Sequence, residues 1–344
     1  MNSDADKAWE RAIGKLRRKK GFSPLSPEEA EAAYEAAPAV PLSATRISDI
    51  VKFATGAQQP AKSPSLIEWS RQFPLKAMKK FQFTLAEGIS DAEALLDFFG
   101  VRSPAAWQSR WDAQPVAFRQ TQVFDARKEA VSAWVREAEI EAAKLNLADF
   151  DEARFRSSLE QLRKLTRKKV GEAWEEAIAI CELAGVALVL VPELPGTRIS
   201  GCARWLDEKY ALIALTIRYK TDDQFWFTFF HEIGHILLHR GRKTFVIDNA
   251  AEEMGDEVVD SDMAKYEEEA DRFSADTLIP PKALAEFLRL HGRTLTNEEI
   301  YDFAEAIGIG PGIVIGRLQH DTVLEHWQGN EFKQNLDWGF APED

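Results

Sequence analysis

Residues 225–239 read Phe225-Trp-Phe-Thr-Phe-Phe-His231-Glu232-Ile-Gly-His235-Ile-Leu-Leu-His239. Inside this stretch His231-Glu232-Ile233-Gly234-His235 has the form HExxH. Residues four apart on a helix share a face, so both imidazoles can grip one ion. Glu232 lies about a quarter turn round. There it reaches a water at the open coordination position without ligating the ion itself, as hydrolysis at a zinc centre requires. The helix around the motif is apolar on nearly every side, which predicts that it is buried. Two histidines and a glutamate buried without partners would cost several kcal/mol, and a metal satisfies all three together.

A third protein ligand is then needed. A metzincin would place a histidine at position 241, which is Gly241 here, so that class is excluded. His239 extends the same stripe, but three consecutive turns fit one tetrahedral ion poorly, and the expectation is that it lines the pocket or caps the helix end. The better candidate lies in residues 267–281, EEEADRFSADTLIPP. Glu267 and Asp271 are four apart on one face, so Glu267 can be the third ligand while Asp271 orients a ligand histidine through its second N–H. Glu268 and Glu269 point elsewhere and read as a solvated face.

Outward from the motif, VALVLVPEL at 186–194 reads as a strand. GCARWL and YALIALTIRY read as the arms of a β-hairpin across an Asp-Glu-Lys turn. Thr221 and Gln224 suggest a capping box at the start of the motif helix, which spans about 222–239. Lys243–Ile247 reads as a short strand, 264–278 as the helix carrying Glu267, and 281–291 and 297–307 as further helices. The acidic run 248–262, DNAAEEMGDEVVDSD, reads as a mobile loop serving as a lid, as a surface for a basic target, or for solubility alone. Upstream, 66–170 is helical, with Asp91–Phe99 closed by Gly100. The basic runs Arg11–Lys20 and Arg154–Lys169 read more readily as solvated helix faces than as contacts to nucleic acid. Trp107, Trp111, Trp134 and Trp174 read as core.

The chain of 344 residues carries 43 basic and 56 acidic side chains, a net charge of −13, which argues against a whole-surface nucleic-acid or membrane binder. Two cysteines exclude a disulfide scaffold or a Cys-rich metal site and suit the cytoplasm. With no signal-peptide core and no apolar run of spanning length, a soluble cytoplasmic protein is expected. The expected division is a partly helical segment with a linker at 1–65, a helical domain at 66–170, the metal-binding domain at 171–290 and a C-terminal helical extension at 291–344. The fold class is α+β: a mainly helical N-terminal region, then a zincin-like, gluzincin-type domain with a small sheet.

The two strings FWFTFFHEIGHILLH and EEEADRFSADTLIPP resemble the ImmA/IrrE family of bacterial metallopeptidases. Its pattern is HExGHxxLH followed by E-x-x-A-(N/D)-x-F-A before Leu-(Ile/Met)-Pro. The resemblance places the ligands of one zinc ion, with manganese as the alternative, on His231, His235 and Glu267. It places the general base on Glu232 and the Asn/Asp position on Asp271. Ser274 stands where the family usually has Ala. FPLKAMKKFQF, LLDFFGV, AFRQT and LEQLRKLT resemble the HigA-like middle region of long members. A helix-turn-helix is not read here, because Pro60 and Pro64 would break the second helix of its best candidate, 43–65. The resemblance implies an endopeptidase that cuts a partner protein, a DNA-binding repressor or regulator, in a stress or mobile-element response. The alternative is an antitoxin-like or transcriptional regulatory protein whose zinc domain senses without cutting. Tyr210, Tyr219, Tyr266 and His239 are the candidates for stabilising the oxyanion.

Overall fold

The computed structural model describes residues 65–112, 128–216, 220–240, 246–248, 261–292 and 294–336. The chain divides into two units, one of residues 1–70 with 88–107, the other of 71–87 with 108–344. In the first, the helix Asp91–Phe99 starts at a capping box that the sequence reading passed over. The Ser90 side chain accepts from Glu93 N while Glu93 accepts from Ser90 N. The helix ends on Gly100 in the left-handed conformation, as its sequence predicts. Trp107 packs edge-on against Trp69 and Phe99, with centroids 6.0 and 6.1 Å apart.

The second unit is built on a four-stranded sheet in the order β1-β3-β2-β4. The strands are β1, Val186–Leu190; β2, Gly201–Trp205; β3, Ala211–Leu215; and β4, Val246–Asp248. β2 and β3 form the expected hairpin, antiparallel with Gly201 opposite Leu215. β1 runs parallel to β3 and β4 antiparallel to β2. β1 and β3 are apolar on both faces because both are covered. On one face Leu188, Ala203, Ile213 and Leu215 join Phe225, Phe229 and Ile233 of the motif helix in a continuous core. Alternate residues turn to the other face, where the helix Lys128–Ala142 packs on β1 and β3. There Trp134 donates to the Val191 carbonyl at 3.1 Å. Trp107, Trp111 and Trp134 are buried as expected, while Trp174 is half-buried beside Phe225.

The motif helix, Asp222–Leu238, has no side-chain cap at Thr221, contrary to the expected capping box. A distant segment holds its N-terminus instead. Asp222 N donates to Gln334 O at 3.0 Å, Gln334 N returns a bond to Asp222 Oδ1 at 2.8 Å, and Thr221 bridges to Asn335. A tertiary partner has replaced the local one, which a four-residue pattern cannot foresee. Residues upstream of it form the helix Pro311–His320, which packs against the same end of the motif helix. A Cβ on Gly312 would lie 3.0 Å from Asp222 Oδ1, and one on Gly316 would lie 2.7 Å from Asp223 Oδ2. Lys333 Nζ closes the cluster at 2.7 Å from Asp223 Oδ2.

The helix Glu152–Lys164 braces the opposite end. Arg156 donates to the Leu237 carbonyl at 3.1 Å, and buried Arg163 donates to the Leu278 carbonyl at 2.8 Å. These carbonyls end the motif helix and the helix Ser261–Leu278, where cations are favoured. Arg167 pairs with Glu305 and Lys168 with Glu176, so much of the 154–169 basic run is engaged within the chain. The 11–20 run, the helices expected in 1–64, the linker and most of the 248–262 loop lie outside the described residues.

Candidate metal centre

Both imidazoles of the motif point from the motif helix toward the helix Ser261–Leu278. These two helices make the most extensive helix–helix packing among the described residues. Gly234, between the histidines, permits the approach. A Cβ there would sit 3.2 Å from Ala270 Cα and 3.2 Å from Phe273. Ser274, where the resembling family usually has Ala, donates its hydroxyl across the same interface to the Phe227 carbonyl at 2.8 Å. The departure adds a bond between the helices.

This packing brings His231, His235 and Glu267 together, with one ligand atom from each within 4.8 Å of the others. His235 Nε2 lies 2.9 Å from His231 Nε2, and Glu267 Oε2 lies 3.1 Å from His231 Nε2 and 3.6 Å from His235 Nε2. Ligands about 2.0–2.1 Å from a tetrahedral zinc ion stand roughly 3.3 Å apart, so the triangle has the right size. His231 Nδ1 lies 2.8 Å from Asp271 Oδ1, the contact that Asp271 was expected to make. A carboxylate accepts and cannot donate, so that proton sits on Nδ1 and the Nε2 of a neutral His231 is a bare lone pair aimed at its neighbours. A cation is the group that reconciles such lone pairs with a carboxylate.

The local electrostatics agree. Burial holds the His235 imidazole below its ordinary pKa, which favours the neutral ring a metal needs. Burial alone would raise the Glu267 carboxyl, but positive charge beside it, on His231 and His235 when those rings are protonated, outweighs burial and holds it at about 2. Glu267 is therefore ionised at neutral pH.

Glu232 is fully buried and faces β2. A Cβ on Gly201 would collide with Glu232 Oε1 and would lie 2.8 Å from Thr228 Cγ2, so only glycine leaves room for this carboxylate. Cys202, next along β2, is buried, and burial pushes its thiol pKa well up, so it is no nucleophile.

Two positions differ from the sequence reading. His239 ends the motif helix but does more than cap it: its Nδ1 lies 3.1 Å from His235 Nδ1 and its Nε2 lies 3.0 Å from Glu269 Oε2. Glu269, read as a solvated side chain, is thus drawn onto the buried histidine row. The i, i+2 relation to Glu267 hid it, because the approach of His239 from another helix cannot be read from the spacing within one helix. Glu268 does lie on the surface, paired with Arg272 at 2.6 Å. Tyr266 is buried with its ring 4.7 Å from that of His239, Tyr210 is half-buried in the β2–β3 turn region, and Tyr219 lies outside the described residues.

Among the described residues no helix is long and apolar enough to cross a membrane. No curated protein matches the chain. Residues 206–319 match the family model for the IrrE N-terminal-like domain, Peptidase_M78, a span that takes in β3, both site helices and all but the last residue of the helix Pro311–His320. The resemblance read from the two motif strings is borne out over that span, which is similar to the IrrE N-terminal-like peptidase domain and carries a His-His-Glu cluster suited to a metal ion.

Proposed function

We propose that this chain is a zinc-dependent endopeptidase. The observation that carries the reading is the convergence of His231 Nε2, His235 Nε2 and Glu267 Oε2 at 2.9–3.6 Å beside a fully buried Glu232. His231, His235 and Glu267 hold the ion. When bound, zinc supplies Lewis acidity that activates water and polarises the scissile carbonyl. Glu232 takes the proton from the attacking water and delivers it to the departing amine. Its burial between the motif helix and Gly201 keeps that carboxylate in one orientation, and Asp271 keeps the His231 lone pair directed inward.

The substrate class follows from the resemblance: a DNA-binding repressor or partner regulator in the cytoplasm, cut at a specific bond in a stress or mobile-element response. Glu232→Gln should leave zinc content unchanged and lower cleavage of such a target by about 10²–10⁴-fold. The check is zinc analysis of the variant beside a gel assay with candidate regulators. Retained cleavage would remove Glu232 from its role. A wild-type protein that binds zinc and its regulator but never cuts would favour the sensing module.

A further inference from the structure

Each ligand histidine must present an Nε2 lone pair toward Glu267, so each must carry its proton on Nδ1. Asp271 secures this for His231. The atom in the equivalent place for His235 belongs to a third imidazole, His239 Nδ1 at 3.1 Å, with the rings tilted by 47°. Two Nδ1 atoms in a hydrogen bond share one proton, and the far side of His239 decides which ring owns it. His239 Nε2 lies 3.0 Å from Glu269 Oε2, which can only accept. A neutral His239 therefore keeps its proton on Nε2, leaves Nδ1 bare and accepts from His235 Nδ1–H. His235 Nε2 is then bare as well.

Resting on the zinc reading above, we propose that His239 and Glu269 form a positioning relay that fixes the tautomer of His235, as Asp271 does for His231. The side chains of His235 and His239 are 2% and 5% exposed, so water does not compete for the shared proton. The Tyr266 ring lies against His239, and Lys265 Nζ stands 3.8 Å from the other Glu269 oxygen. The two ligand imidazoles are thus oriented by different means. His231 leans directly on an exposed carboxylate, and His235 reaches a half-exposed one through a buried ring. Burying a ring in place of a carboxylate avoids desolvating the charge.

The test is zinc affinity of the full chain, measured by competition with a chromophoric chelator, with the visible spectrum of the cobalt-substituted protein as a second readout. An Asn carboxamide oxygen can stand where His239 Nδ1 stands, whereas Leu offers no acceptor. His239→Leu should weaken zinc binding about 10–100-fold and alter the cobalt spectrum. Glu269→Ala, on the half-exposed side where water can substitute, should weaken it by a smaller factor, about 3–10-fold. His239→Asn should bind within about threefold of wild type. If His239→Leu fails to fold, the order of Glu269→Ala below His239→Asn carries the same decision. Equal affinities across the series, or Asn as damaging as Leu, would overturn the relay. A wild-type protein without zinc would instead overturn the metal reading on which the relay rests.

Discussion

The two helices that build the site could hardly be less alike. Asp222–Leu238 is enclosed almost all round and contributes imidazoles. Ser261–Leu278 keeps one face in solvent and contributes carboxylates: Glu267 to the centre, Asp271 to His231 and Glu269 to His239. The difference follows from what each group costs to bury. A neutral imidazole with both nitrogens satisfied can sit in a core, whereas a carboxylate loses several kcal/mol of hydration there. The site takes its fixed geometry from the buried helix and its charge from the wet one, with Asp271 two-thirds exposed while bonded to a buried ring. The carboxylates that the buried helix does carry, Asp222, Asp223 and Glu232, each lie where a glycine's missing side chain leaves space: Gly312, Gly316 and Gly201.

If this contrast is right, changes on the two helices should differ sharply in effect. Gly234→Leu would place side-chain atoms where Ala270 and Phe273 already stand, and should destabilise the fold by about 3 kcal/mol in urea denaturation. Glu268→Ala, next to Glu267 but on the solvent side of its helix, should change stability by less than about 0.5 kcal/mol. Equal losses would mean that the packing between the helices is not what fixes the site.

The enclosed helix should also show itself in pH dependence. Burial raises the Asp222 carboxyl to about 6, despite the bond from Gln334 N. A carboxyl whose pKa is higher folded than unfolded binds more protons in the folded state between the two values. Its contribution is therefore present near pH 4 and is lost as pH rises through about 6, a change of roughly 2 kcal/mol. Asp222→Asn keeps an acceptor for Gln334 N and should flatten that part of the stability profile. An unchanged slope between pH 4 and 7 would show that Asp222 is not its source.

A smaller loss concerns the bond between the helices. Ser274→Ala restores the residue usual in the resembling family and removes the hydroxyl from the Phe227 carbonyl. It should cost about 1 kcal/mol, read as a lower melting temperature with zinc affinity unchanged.

The chemistry-bearing part of the molecule was the most legible in its sequence. HExxH needs only helical periodicity to become two converging imidazoles, and Glu267 and Asp271 stand one turn apart for the same reason. The hairpin was legible because two β-rich arms flank a polar turn. What stayed hidden depends on contacts between distant segments. Nothing near Thr221 announces that Gln334 and Asn335 will hold the motif helix. The glycine-rich run before them falls in the expected helical extension at 291–344, but nothing in it tells that Gly312 and Gly316 make room for Asp222 and Asp223. Glu269 was misread because its partner approaches from another helix.

The most direct test is the metal content of the purified chain and of Glu267→Ala, by elemental analysis after dialysis against metal-free buffer. One zinc ion per wild-type chain, with the variant largely depleted, is the predicted result. A wild-type chain with no stoichiometric metal, or a Glu267→Ala chain that keeps a full complement, would contradict it.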